Sequence, residues 1–536
     1  MSQPETSATK VTRLEVALVA LVGLYYLARL LYFAFSIAPG IPPDEPTHIG
    51  IIELYARAPL MIDDSPESYS FGLVTRVPFL YHLFLGKLTI LNLFGISSTL
   101  FLRLINVALS MITIVVAYRL AQRIADGWPT RVLFLVMTTN TLMYTFISAV
   151  VSYDNLVNLF AVTSLAALLA FLRSGQPRDL AGWLVWTLLG SLTKLTFLPL
   201  ALFLGLILLV ERRGRIATDL LRLASEVRGG KPVPLVLALV ALVCLFANLW
   251  LYGGNLLRYG KPVPECQQVL SVEACMENRI FARNWIVTRY RDGATSFDEA
   301  LQATGAIRHT GDRDHAIRLL RNELAYKQSN PDLLPVLDYM GLIWSRGMRP
   351  SIFGVQAHVS MLKTPSALLL YNVILLAAFL LWIRGCSWGG AGRTWVYLGC
   401  LALGYFIFLV GIFNYRGYLV SHAPFLGVQG RYVFPVLVPA YLVASRFLLA
   451  PFRRTIQVAL LVAISTVFVY GDLPYFLRHA GNAWFARSDP AVSRRIDAGS
   501  YCPESQGSPI RRCSFSIFRR ISGMDCPPPA CPSKRS

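Results

Sequence analysis

"RVLFLVMTTNTLMYTFISAVVSYDNLVNLFAVTSLAALLAFLR", residues 131–173, is an apolar run closed by an arginine at each end. A bilayer is crossed by about 20 residues of helix, so a single helix of this length would overshoot it roughly twofold. Arginines in short loops stay on the cytoplasmic side. The run therefore reads as a hairpin with both ends inside and its tip, Ser152-Tyr153-Asp154-Asn155, outside. An all-α polytopic membrane protein follows from this reading.

The same logic extends along the chain. "LAGWLVWTLLGSLTKLTFLPLALFLGLILLVERR", residues 180–213, is a second hairpin, with short arms and Lys194 at its tip. A third runs from Arg393 to Arg446, and its outer turn, "NYRGYLVSHAPFLGVQGRY" (414–432), ends on Gln429-Gly430-Arg431. About eleven transmembrane helices are expected, near 14–36, 99–119, 132–151, 155–172, 179–193, 195–210, 233–252, 365–383, 394–413, 431–448 and 456–472. Arginine-bearing loops then put the N-terminus inside and the tail outside. The first apolar stretch is too long and too aromatic for a cleaved signal peptide and reads as a retained helix.

Composition agrees with lipid as the solvent: 55% hydrophobic, only 15% charged, mean hydropathy +0.51. The formal charge of +20 does not indicate nucleic acid, because much of it lies in the loops that orient the spans. Walker motifs, a GxGxxG fingerprint and internal repeats are missing from the sequence, which leaves no nucleotide-binding domain. The expected organisation is a transmembrane module over 1–252 with a catalytic first outer loop (37–98), an extracytoplasmic subdomain over 253–364, further helices over 365–472, and a cysteine-bearing tail over 473–536. Cys244, Cys386 and Cys400 sit in or beside apolar segments and read as packing residues. Cys266 with Cys275, and Cys502, Cys513, Cys526 and Cys531 in the tail, lie in outer segments and read as disulfide formers in an oxidising compartment.

Four polar landmarks from separate segments fall on the outer face: the loop "PPDEPTH" (42–48) with Asp44, Glu45 and His48, then Asp154, Lys194 and Arg431. Charges at membrane depth are costly and commonly mark a site. Each also has a plainer reading. Asp44 or Glu45 fits a helix cap before Pro46, Asp154 fits the cap of the fourth span, and Lys194 and Arg431 fit side chains that snorkel to headgroups. Asp44 and His48, four residues apart, also suit a divalent metal ion, although no third ligand is evident. Asp312-Arg313-Asp314 has the DxD form used for metal by nucleotide-sugar enzymes, but it lies outside, where such donors are absent. His422 reads as a surface histidine.

This ordered set resembles the GT-C superfamily of membrane glycosyltransferases, which includes protein O-mannosyltransferases and the aminoarabinose transferases of lipid A. "PPDEPTH" with "QGRYVFP" looks closer still to a bacterial branch of predicted membrane proteins of unknown specificity. The resemblance covers roughly residues 10–450. It implies transfer of a sugar from a polyprenyl-phosphate donor to a glycan, lipid or protein acceptor on the outer face of the bacterial cytoplasmic membrane. Asp44 would be the catalytic base, with Glu45 and Asp154 as further acidic catalytic positions. Lys194 and Arg431, with Gln429, would hold the donor phosphate, and His48, Tyr153 and Asn155 would support them. The outer subdomain and the tail match no acceptor-binding domain of that superfamily. Two rivals remain open: a transporter or flippase, which would show paired repeats, and an O-antigen ligase or polymerase, whose outer-loop arginines the "QGRY" and "RNELAYKQ" stretches also fit.

Overall fold

Where the chain is apolar it is helical, and in the computed structural model no sheet forms among the described residues, 12–307, 310–329, 332–390 and 392–485. Two isolated bridges, Ile37 with Phe485 and Val355 with Met361, are the extended pairings described. Thr12 opens the first helix, α1 (Arg13–Ser36), by accepting the Glu15 N–H at 3.1 Å, which satisfies one of the unpaired donors of a first turn. Short helices α2 (Glu45–Arg57) and α3 (Leu80–Leu88) follow, and Ser97 caps the long α4 (Ser98–Ile124).

Among the described residues, eight helices are long and apolar enough to cross a membrane: α1, α4, Asp154–Ser174, Pro232–Tyr259, Pro365–Gly385, Gly392–Ser421, Gly430–Leu449 and Arg454–His479. Three expected spans take other forms. The segment 132–151 is split into α5 (Trp128–Thr139) and α6 (Leu142–Ser148). The 180–213 hairpin has arms of 15 residues each, α8 (Pro177–Ser191) and α9 (Phe197–Glu211), on the far side of α7 (Asp154–Ser174). At 1.5 Å per residue such arms reach about 22 Å, short of a hydrocarbon layer of about 30 Å.

The split has a chemical cause. In "TTNT" (138–141) every side chain bonds a carbonyl one turn back: Thr138 to Phe134, Thr139 to Leu135, Asn140 to Val136 and Thr141 to Met137, all at 2.8–2.9 Å. Such back-bonding competes with the backbone ladder and bends helices. The Thr139 carbonyl is taken instead by Arg29 Nη2 at 2.8 Å and Thr145 Oγ1 at 2.9 Å.

Contacts divide the described chain into two units. The larger holds residues up to Phe281 and from Leu334 onward. In it the Cys266–Cys275 disulfide forms and packs against Tyr69. Cys244, Cys386 and Cys400 are free thiols. The tail cysteines lie outside the described residues. The smaller unit, Ala282–Leu333, is built around Ile286, Tyr290, Ala300, Ala316 and Leu320, all buried. "DRDHAIRLLRNELAY" forms most of its helix Thr310–Ser329, with Asp312 in the first turn, where negative charge suits the helix dipole.

Buried ion pairs staple distant helices of the larger unit. Glu15 meets Arg131 through Nε at 2.6 Å and Nη2 at 2.7 Å, and Tyr118 donates to the same carboxylate at 2.7 Å. Arg29 Nη1 lies 2.7 Å from Asp472 Oδ1, and Thr145 donates to Oδ2 at 2.8 Å. Removing one member of such a pair strands a buried charge, at about 3–5 kcal/mol. Arg131→Ala is therefore expected to lower the melting temperature of the detergent-solubilised protein strongly. The double change Glu15→Leu with Arg131→Met should restore much of the loss.

Candidate functional site

The first loop is anchored by Glu45. Its carboxylate is fully buried and accepts Arg103 Nε at 2.8 Å, Arg103 Nη2 at 2.6 Å and the Val151 N–H at 3.0 Å. Arg103 Nη1 also donates to the carbonyls of Ala34 and Ile37, at 3.0 and 2.8 Å. These bonds tie the end of α1, the start of α2, α4 and the tip of the 131–173 hairpin at one point. Glu45, expected among the catalytic residues, has its oxygens turned into this clamp and acts here as a positioning group.

Asp44, one residue earlier, faces the other way. Its backbone is left-handed, with φ 60°, a conformation costly for a non-glycine residue and found preferentially at functional positions. It makes no side-chain cap to α2, so the capping reading does not describe it. Instead Oδ2 accepts Arg431 Nη2 at 2.6 Å, while the side chain stays 40% exposed.

Nor is Asp154 a cap: Tyr153 stands at the N-cap of α7, which has no side-chain cap bond. Asp154 opens α7 with its carboxylate held by Lys194 Nζ at 2.6 Å and Ser152 Oγ at 3.2 Å. Lys194 is 7% exposed and does not snorkel. Its turn is tight because the Phe197 ring lies over Gly190, where a Cβ would sit 2.2 Å from the ring. The ammonium lies over the Tyr153 ring at 4.3 Å and the Tyr432 ring at 5.1 Å, a cation–π setting suited to a desolvated lysine.

Arg431 closes the set. It is 3% exposed, and its position depends on Gly430, whose Cβ would meet Ile352 N at 2.5 Å; only glycine lets "QGR" approach that backbone. Nε donates to Gln429 Oε1 at 2.8 Å and Nη2 to Asp44. Nη1 is buried with no hydrogen-bond partner among the described residues, 3.9 Å from Asp154 Oδ2. The order Asp44, Arg431, Asp154, Lys194 is thus a continuous chain of alternating charge drawn from four segments.

His48 borders this chain. Its Nδ1 lies 3.0 Å from His82 Nε2, its ring meets Tyr153 edge-on at 4.5 Å, and its own Nε2 has no partner among the described residues. Burial holds both histidines below the ordinary imidazole range, His48 at about 4. Burial opposes ionisation of Asp44, yet Arg431 overrides it and lowers that carboxyl to about 2. Asn155 supports the tip from behind, donating to Asn106 Oδ1 and the Ile147 carbonyl at 2.9 Å each. No group of three His, Cys, Asp or Glu side chains arranged to hold a metal ion occurs among the described residues, and His48 Nδ1 is engaged by His82.

Neither protein-family models nor curated protein sequences give a match to this chain. The site rests on its own geometry. Sequence reading gathered its charged members but overlooked Arg103, His82 and Tyr432. A lone arginine in the apolar run "LFLRLINVAL" and a histidine in "FLYHLFL" are the signals that point to the first two, since polar groups in such runs require partners.

The histidine pair makes a stability prediction. An imidazole kept neutral when folded binds fewer protons than the unfolded chain between about pH 4 and 6.5, so stability is full above that window and falls as pH drops through it. The melting temperature should fall on acidification from pH 7 to 5. The double change His48→Gln with His82→Gln should flatten that fall.

Proposed function

We propose that the protein is a membrane glycosyltransferase of GT-C type, moving a sugar from a polyprenyl-phosphate donor to an acceptor hydroxyl at the outer face of a bacterial cytoplasmic membrane. The observation that carries this reading is Arg431: a buried guanidinium with a spare donor, beside a buried lysine and two carboxylates. A spare buried donor calls for an acceptor, and a phosphate oxygen between Arg431 and Lys194 supplies one. The eight long helices and the split passage 128–148 are long enough to cross, and the 15-residue arms 177–191 and 197–211 fit as a pair that enters and returns to the same side, so the sidedness of the eleven-pass reading is kept. The basic loops then face the cytoplasm, and the Cys266–Cys275 disulfide falls on the oxidising side.

Chemically, the acceptor oxygen attacks the anomeric carbon, the bond from that carbon to the phosphate oxygen breaks, and its electron pair leaves with the phosphate. Lys194 and Arg431 stabilise the charge that grows on that oxygen. The hydroxyl proton passes to the Asp44 carboxylate, and a single displacement inverts the anomeric centre. While bound to Arg431, Asp44 is too acidic to be an effective base. A donor phosphate competing for the guanidinium raises its basicity, so donor binding readies the base. The half-buried, left-handed Asp44 is the member of the chain freest to give way.

The test is transfer of labelled sugar from polyprenyl-phosphate donors into membrane glycans, at matched protein levels. Asp44→Asn should lower transfer by about 10²–10⁴-fold, the usual range for losing a positioned base, and Lys194→Ala should abolish donor-dependent turnover. Undiminished transfer in both variants would remove the proposed roles and favour a transporter.

A further inference from the structure

The helix Pro232–Tyr259 (α10) widens into a π-type turn at Leu249–Gly253, a local form frequent at functional positions. Its two faces differ. On one, Asn248 Nδ2 donates to the Leu188 carbonyl at 3.1 Å, Tyr252 OH to that of Ser191 at 2.7 Å and Asn255 Nδ2 to that of Arg76 at 2.9 Å. On the other, Phe246, Leu249, Trp250 and Leu257 recur at helical spacing, each at least half exposed. A cavity of about 470 Å³ opens along this second face. Beneath it lie Gly253 and Gly254, and a Cβ on either would meet no atom within 4 Å.

The cavity is also lined by two arginines, Arg76 and Arg258. Arg76 is paired with Asp64 through Nη2, while its Nε is buried and has no partner among the described residues. Arg258, in the last turn of α10, is exposed and meets no carboxylate among the described residues. The cavity therefore combines one uncompensated positive charge, on Arg258, with an apolar trough. A soluble anion would leave the trough wet, and an uncharged ligand would leave Arg258 unanswered. We propose that this cavity binds one anionic phospholipid, its phosphate on Arg258 and an acyl chain along Phe246, Leu249, Trp250 and Leu257. The volume lies in the usual range for small-molecule sites, and a cation at the end of an apolar helix sits where lipid phosphates are found. The site is separate from the Asp44–Lys194 chain and does not depend on the transferase reading.

Native mass spectrometry of the full chain in detergent, with phosphatidylglycerol or phosphatidylcholine added, tests it. The expected result is one retained phosphatidylglycerol per chain, preferred about five-fold per contributing cation, and not displaced by inorganic phosphate. Arg258→Ala should reduce that preference about five-fold. Gly254→Phe, which keeps both arginines but fills the trough, should abolish retention with an unchanged melting temperature. Equal retention of the two lipids by the wild type would overturn the proposal, as would displacement by phosphate or undiminished retention by Gly254→Phe. The lipid comparison on the wild type decides the matter even where a variant fails to fold.

Discussion

Arg431 sits almost wholly out of solvent, and a guanidinium there cannot shed its proton. It must be met by carboxylate or carbonyl oxygens, and it is met by Asp44 and Gln429. That requirement reaches outward. Asp44 is available only because Glu45, beside it, is clamped by Arg103, which holds the loop against α4 and the 131–173 tip. The left-handed turn at Asp44 lets neighbouring carboxylates face opposite ways, one into the scaffold and one into the site. Without the clamp the loop loses its register, and without Gly430 the arginine could not reach it.

Two other buried arginines show what a saturated ion looks like. Arg103 spends Nε, Nη1 and Nη2 on Glu45 and two carbonyls. Arg131 does the same with Glu15 and the Ala125 carbonyl. Both have a bond at every nitrogen, and saturation is what a buried ion needs to offset its desolvation. Arg431 differs in having a nitrogen left over. The difference sets Arg431 apart from these two stapling arginines.

Much of this architecture is legible in the sequence because arginines bracket apolar runs too long for one helix. The tips at Asp154 and Lys194 come directly from that arithmetic, and the structure brings both to one place. The break at "TTNT" was not legible as a break, since threonine and asparagine in an apolar run do not announce which way their side chains bond. Nor was the division of labour between Asp44 and Glu45, which depends on a single backbone angle. Arg29, Arg103 and Arg131 stand in plain view as isolated charges in or at the ends of spans. Their partners, Asp472, Glu45 and Glu15, are separated from them by long stretches of chain, so only the folded packing could pair them.

The pairing of Asp44 with Arg431 also sets how such a site would respond to a ligand. A carboxylate held by a buried cation is a weak base, and a cation held by a carboxylate is partly neutralised. Each masks the other until a third charge arrives. An anionic ligand competes directly with Asp44 for Arg431, whereas a neutral one leaves the pair intact. Lys194 meets the same ligand with less rearrangement, because its ammonium has three donors and Asp154 Oδ1 is the one hydrogen-bond acceptor described for it. Selectivity for an anion would therefore reside in the exchange at Arg431, with the more exposed Asp44 as the partner to give way.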